Sequence, residues 1–169
     1  MNRNYRSGQH DGAAAHVISL SQLYPHTPAS VWAAFTSAER LSRWFTPVTG
    51  DLRQGGRFQF KDNAGGLITA CEPERRIAAT WEFGGGISWV EVTFAAEGQG
   101  TRVSLTHTAR AADMPPGFWE KFGPGATGVG WDLGFVGLGL HLDAPDAPRP
   151  PDFETTWVGS PEGRGYVIA

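Results

Sequence analysis

The stretch from Pro28 to Phe60 constrains this chain most. Val31-Trp32-Ala33-Ala34-Phe35 reads as a short amphipathic helix with Trp32 and Phe35 on one face. A second short helix follows from Ser37, with Leu41, Trp44 and Phe45 at i, i+3 and i+4. Then come Gly50-Asp51-Leu52, a Gly55-Gly56 turn and the strand Phe58-Gln59-Phe60. The order is one strand, two short helices, a long run of strands and one long helix. Such a chain is expected to be α+β, with an antiparallel sheet curled around the last helix and a pocket between them.

Local signals mark the elements. His16–Tyr24 is the first strand, stopped by Pro25 and Pro28. Thr27 and Ser37 are placed to cap the two short helices, and Pro28 fits the first helical turn because its missing N–H has no partner there anyway. Pro47 ends the second helix. Strands are expected at 48–52, 57–61, 67–71, 77–83, 88–95 and 101–108. Ile77, Ala79, Trp81 and Phe83 share one face, as do Val103, Leu105 and His107. Pro115-Pro116 can open a short helix carrying Phe118, Trp119 and Phe122.

The long helix is expected over 126–142, where Trp131, Phe135, Leu138 and Leu142 form one apolar stripe. Gly128, Gly130, Gly134, Gly137 and Gly139 interrupt it. Each costs about 1 kcal/mol against alanine, so packing must hold this helix. Close approach to the sheet, or room for a ligand, would favour small residues there. Residues 1–13 are polar and read as a disordered leader, 14–143 as the domain, and 144–169 as a proline-rich linker and tail. Asp152–Val158 is read as a short helix or extended segment, and Ser160-Pro161-Glu162 as one last helical turn.

Composition narrows the function classes. With 169 residues the chain is near single-domain size, and seven tryptophans with ten phenylalanines announce an aromatic interior. A net charge of −3 without any basic block argues against nucleic-acid binding. Cys71 stands alone, so neither an internal disulfide nor a thiolate cluster is expected, and the simplest compartment is the cytoplasm. No apolar run reaches the ~18 residues that would cross a bilayer, so no membrane partner is expected.

Taken together, several motifs resemble a known family. They are Val31-Trp32, Leu41-x-x-Trp44-Phe45, Gly50-Asp51-Leu52-x-x-Gly55-Gly56-x-Phe58, Glu72-Pro73-x-x-Arg76, Thr80-Trp81-Glu82, Gly100–His107 and Gly130-Trp131 with Leu138 and Leu142. Over residues 14–143 the chain resembles the heat-shock-protein ATPase activator-like branch of the START/birch-pollen-allergen superfamily. The resemblance implies a helix-grip fold of six to seven strands, whose cavity binds apolar small molecules. Co-chaperone activators of this branch carry an Asn-rich Trp-His-Trp motif near the N-terminus and a second domain. Here the first tryptophan is Trp32, so chaperone activation is not the leading expectation.

The candidate ligand-binding residues are aromatic. Phe58, Phe60, Trp81, Phe94, Trp131 and Phe135, together with Leu138, are expected to face the space between sheet and helix. Trp44, Phe45 and Trp119 would sit near its mouth. His107 is the best-placed polar residue: it could orient a ligand hydroxyl or act as general base, or else be a buried histidine bonded to backbone. A tryptophan N–H is the other candidate for orienting a ligand. His10, His16, His26 and His141 lack metal-ligand spacing, so no metal and no cofactor are expected.

The leading expectation is a carrier or sensor of a hydrophobic or aromatic small molecule. A polyketide cyclase- or aromatase-like enzyme and a protein-interaction module, including a chaperone activator, are the alternatives. A homodimer is compatible with the sequence but not specified by it.

Overall fold

The computed structural model describes residues 1–147 together with 153, 156 and 159–161. Two antiparallel strands, β1 (Asn2–His10) and β2 (Ala13–Tyr24), open the chain. Helices α1 (Pro28–Thr36) and α2 (Ala38–Trp44) follow. Six more strands come next: β3 (Val48–Gly50), β4 (Arg57–Phe60), β5 (Gly65–Glu72), β6 (Arg76–Phe83), β7 (Gly86–Glu97) and β8 (Gly100–Arg110). A 3-10 turn and the short α3 (Phe118–Phe122) lead into α4 (Gly125–Asp143). The expectation for 152–158 lies largely outside the described residues, and the expected terminal turn lies partly outside them, at Glu162.

All eight strands form a single antiparallel sheet in the order β1-β2-β8-β7-β6-β5-β4-β3. Its inner face carries Ile18, Leu20, Ala79, Val90, Val92, Val103 and Leu105, all buried. The period-2 alternation in β6 to β8 thus delivers one apolar face, against which α4 and the two short helices pack. The caps form as expected: Thr27 Oγ1 accepts from the Ser30 amide and Ser37 Oγ from the Arg40 amide, each at 3.3 Å.

The expected disordered leader is instead strand β1, which brings the sheet to eight strands rather than six or seven. Asn2–His10 is polar because both of its faces meet solvent, so it shows no apolar alternation. Its order comes from full pairing with β2, from Asn2 opposite Ser21 to His10 opposite Ala13. The overlooked signal was Asp11-Gly12, a two-residue hairpin turn with both residues at positive φ (49° and 79°). Far along the chain, Arg3 Nε donates to both carboxylate oxygens of Asp132 on α4, at 2.9 and 2.8 Å, fastening this edge strand to the helix.

Two glycines of α4, Gly134 and Gly137, face α2, whereas Gly139 faces Tyr24 of β2 and a Cβ on Gly128 or Gly130 would meet nothing within 4 Å. A Cβ on Gly137 would lie 2.6 Å from the Trp44 carbonyl oxygen, and one on Gly134 would touch the Phe45 ring at 3.7 Å. The helix can lie this close to α2 only where side chains are missing. No helix among the described residues is long and apolar enough to cross a membrane.

Candidate functional site

Between the sheet, α2 and α4 lie two adjoining cavities. The outer cleft holds about 580 Å³ and opens past Lys61, Asp62 and Asn63 on one side and Thr127, Gly130 and Gly134 on the other. The inner cavity holds about 110 Å³ and is walled almost wholly by hydrocarbon, including Leu41, Phe58, Phe60, Ile68, Val90 and Leu105. Four side chains border both: Trp44, Phe45, Trp81 and Trp131. The Phe45 and Trp131 rings are parallel to within 4° at 6.1 Å, and Trp81 lies 4.9 Å from Trp131. These aromatics form a partition between a roomy cleft of mixed polarity and a small apolar chamber.

His107 sits at the outer cleft, only 5% exposed. The Trp131 indole N–H donates to His107 Nδ1 at 2.9 Å, and an indole nitrogen can only donate. His107 therefore carries its proton on Nε2, which donates to Ser88 Oγ at 2.8 Å. Ser88 in turn donates to the Trp81 carbonyl oxygen at 3.1 Å. Burial pulls the imidazole down to about 4, so it is neutral at pH 7. With one nitrogen accepting and the other donating, this histidine is a fully bonded wall element. The sequence left it as a residue orienting a ligand hydroxyl, a general base or a backbone-bonded histidine; its hydrogen-bond partners are side chains.

Of the other sequence candidates, Trp44, Phe45, Phe58, Phe60, Trp81 and Trp131 are brought together around the cavities. Four are not. Phe94 is buried under α1, edge-on to Trp32 at 5.4 Å and to Phe35 at 5.1 Å. Phe135 packs against Tyr24, whose hydroxyl donates to the Phe135 carbonyl at 2.7 Å. Leu138 is wholly buried core. Trp119, expected at the mouth, stacks on His16 at 3.6 Å and lies 5.2 Å from Tyr5, so it docks α3 against β1 and β2 instead.

The sequence reading missed the rim. Lys61, Asp62 and Asn63 form the β4–β5 turn, with Asp62 left-handed at φ 54°. Only their position after an inward Phe60 hints that the turn overhangs a cavity. Asp51 and Asp132 pair with Arg53 and Arg3, and Glu82 and Glu91 with Arg57 and Arg76. Cys71 is partly buried against the core. Among the described residues no grouping of His, Cys, Asp and Glu is placed to hold a metal ion.

An antiparallel sheet gripping a C-terminal helix over an aromatic-walled cavity defines a helix-grip protein. More narrowly, the chain belongs to the activator of Hsp90 ATPase homolog 1-like family, whose model matches residues 25–132. CalU16 from Micromonospora echinospora is similar at 31% identity over 99% of this chain and 91% of its own, with a TM-score of 0.73 for the crystal structure. The solution structure of the same protein gives 0.77. MLL2253 from Mesorhizobium loti shares the fold at 20% identity, covering 78% of this chain and 99% of its own, with a TM-score of 0.67. PFC0360w, an Hsp90 activator from Plasmodium falciparum, is 25% identical over 59% of this chain and 74% of its own, at a TM-score of 0.51. No protein of curated function matches significantly.

Proposed function

We propose that this protein binds a hydrophobic or aromatic small molecule non-covalently between sheet and α4, as a carrier or sensor. The observation that carries this reading is the pair of cavities meeting at Trp44, Phe45, Trp81 and Trp131. A planar ligand in the outer cleft would stack on these rings and could extend a small apolar group into the inner chamber. Burial of apolar surface, at about 25 cal/mol per Å², would supply most of the affinity.

A cyclase- or aromatase-like enzyme would need an acid–base pair in the cleft. His107 is a weak candidate, since both ring nitrogens are engaged and its basicity is low. Lys61 and Asp62 stand only at the exposed rim. The likeness to the P. falciparum activator favours, as a second reading, action on a chaperone ATPase, which a coupled ATPase assay would test directly.

Native mass spectrometry of protein purified from its own host tests the binding reading. A small molecule that co-purifies and is lost on denaturation is the expected result. Protein that emerges empty, and stays empty when offered a panel of planar aromatics, would sink it.

A further inference from the structure

We infer that Trp81 is the residue that orients the ligand, and that the ligand carries an oxygen acceptor, such as a ketone or quinone carbonyl, on its aromatic body. This rests on the binding reading above and specifies the class of molecule it admits. Fifteen of the described residues border the inner chamber, and the only polar side-chain groups these bring are the indole N–H groups of Trp44, Trp81 and Trp131.

Two of the three are already used. Trp44 Nε1 donates to the Ala34 carbonyl at 2.9 Å, and Trp131 Nε1 donates to His107 Nδ1 at 2.9 Å. Trp81 Nε1 has no acceptor among the described residues, and it is not among the buried polar atoms left unpartnered, so it keeps contact with solvent. The ring that carries it is held firmly: Trp81 lies within 6.4 Å of the rings of Phe45, Phe58, Phe60, His107 and Trp131. The ring that bears this donor is thereby fixed at the junction of the two cavities.

A pure hydrocarbon lying over this N–H would strip its water and return no acceptor, which penalises binding. A carbonyl at the same place restores the bond in a low-dielectric setting, where it is strong. The other polar side chains lining the outer cleft are His107, whose two ring nitrogens are both bonded, and Thr46, Lys61, Asp62, Asn63 and Thr127, which belong to the open cleft, where water competes for them. Trp81 is therefore the donor that selects among otherwise similar aromatics.

Fluorenone and fluorene test this: they share a planar tricyclic frame and differ by one carbonyl. Their affinities would be measured by equilibrium dialysis on the full chain and on Trp81→Phe. The fluorenone-to-fluorene affinity ratio is expected to fall about tenfold in the variant, the worth of one sheltered hydrogen bond. Taking a ratio cancels the loss of ring area, which affects both probes. In ¹H–¹⁵N spectra of the wild-type protein, one of the seven tryptophan indole signals should move downfield with fluorenone and stay with fluorene. That readout decides the matter even if Trp81→Phe fails to fold. If both probes bind with an unchanged ratio and no indole signal responds, the inference falls while the binding site stands. If neither probe binds the wild-type protein, both fall together.

Discussion

Trp131 on α4 donates its indole N–H to His107 Nδ1 on β8 at 2.9 Å, so helix and sheet share a hydrogen bond in the cavity wall. That bond sets the tautomer of His107, and the tautomer sets the direction of the chain through Ser88 to the Trp81 carbonyl. Three side chains and one backbone carbonyl are thereby satisfied together in a mostly apolar place. Such a network is stable only while the imidazole stays neutral, because a second proton would displace the Trp131 donor.

Stability should consequently fall in mild acid. Unfolded, His107 titrates near 6.5; folded, burial lowers it to about 4. Between these values the unfolded chain binds the extra proton, so the stabilisation is complete above about pH 6.5 and is lost as pH drops toward 4. From pH 7.5 to 5 the loss should be about 2 kcal/mol. His141 adds in the same direction, since burial and then Arg40 and Arg43 lower it too. Denaturant titrations across this range on wild type and His107→Gln separate the two, and parallel curves would remove His107 from the account.

Trp131→Phe should destabilise the protein by about 1–3 kcal/mol, because His107 Nδ1 loses its donor in a buried place. The variant alone mixes that cost with lost ring area. A double-mutant cycle with His107→Gln isolates the bond, and a coupling of about 1 kcal/mol is expected. Strict additivity would mean the two residues do not interact.

Arg3→Ala should release β1. Its partner Asp132 is nearly buried, so removing the guanidinium strands a carboxylate at a cost of about 1–2 kcal/mol, moderated by the partial exposure of Arg3. Hydrogen exchange should show amides of 2–10 losing protection while those of β6 to β8 keep it. Unchanged protection in β1 would show that pairing with β2 suffices without the clamp.

Two glycine substitutions in α4 should act with opposite sign. At Gly128 a Cβ meets nothing within 4 Å, so Gly128→Ala should stabilise by about 0.5–1 kcal/mol through helix propensity. At Gly137 the same methyl would collide with the Trp44 carbonyl oxygen, so Gly137→Ala should lower stability and disturb α2 beside the cavity. Thermal denaturation of both variants distinguishes them, and a stabilised Gly137→Ala would contradict the close approach of α2 and α4.

Most of the fold was legible because its elements advertise themselves locally. Ile77, Ala79 and Trp81 alternate with polar neighbours, Thr27 and Ser37 stand where caps belong, and Trp131, Phe135, Leu138 and Leu142 keep helical spacing. Each of these signals depends on residues a few positions apart. β1 was misread because a polar edge strand has no hydrophobic period. Its anchors are a partner strand and a carboxylate 129 residues away.

The candidate site was legible only as a list of inward aromatics. Sequence by itself determined most of the side chains that leave water, because period and side-chain chemistry favour burial, although Phe83, on the same face as Trp81, stays 64% exposed at the end of β6. Tertiary structure alone decided that Trp44, Phe45, Trp81 and Trp131 meet at one partition. It also decided that Phe94, Phe135 and Leu138 fill core elsewhere, that Trp119 docks onto His16, and that His107 is locked neutral. The physical reason is that a cavity and a tautomer are properties of how distant elements pack. Burial is nearly additive along the chain, whereas the gap left between a helix and a sheet depends on every contact that positions them.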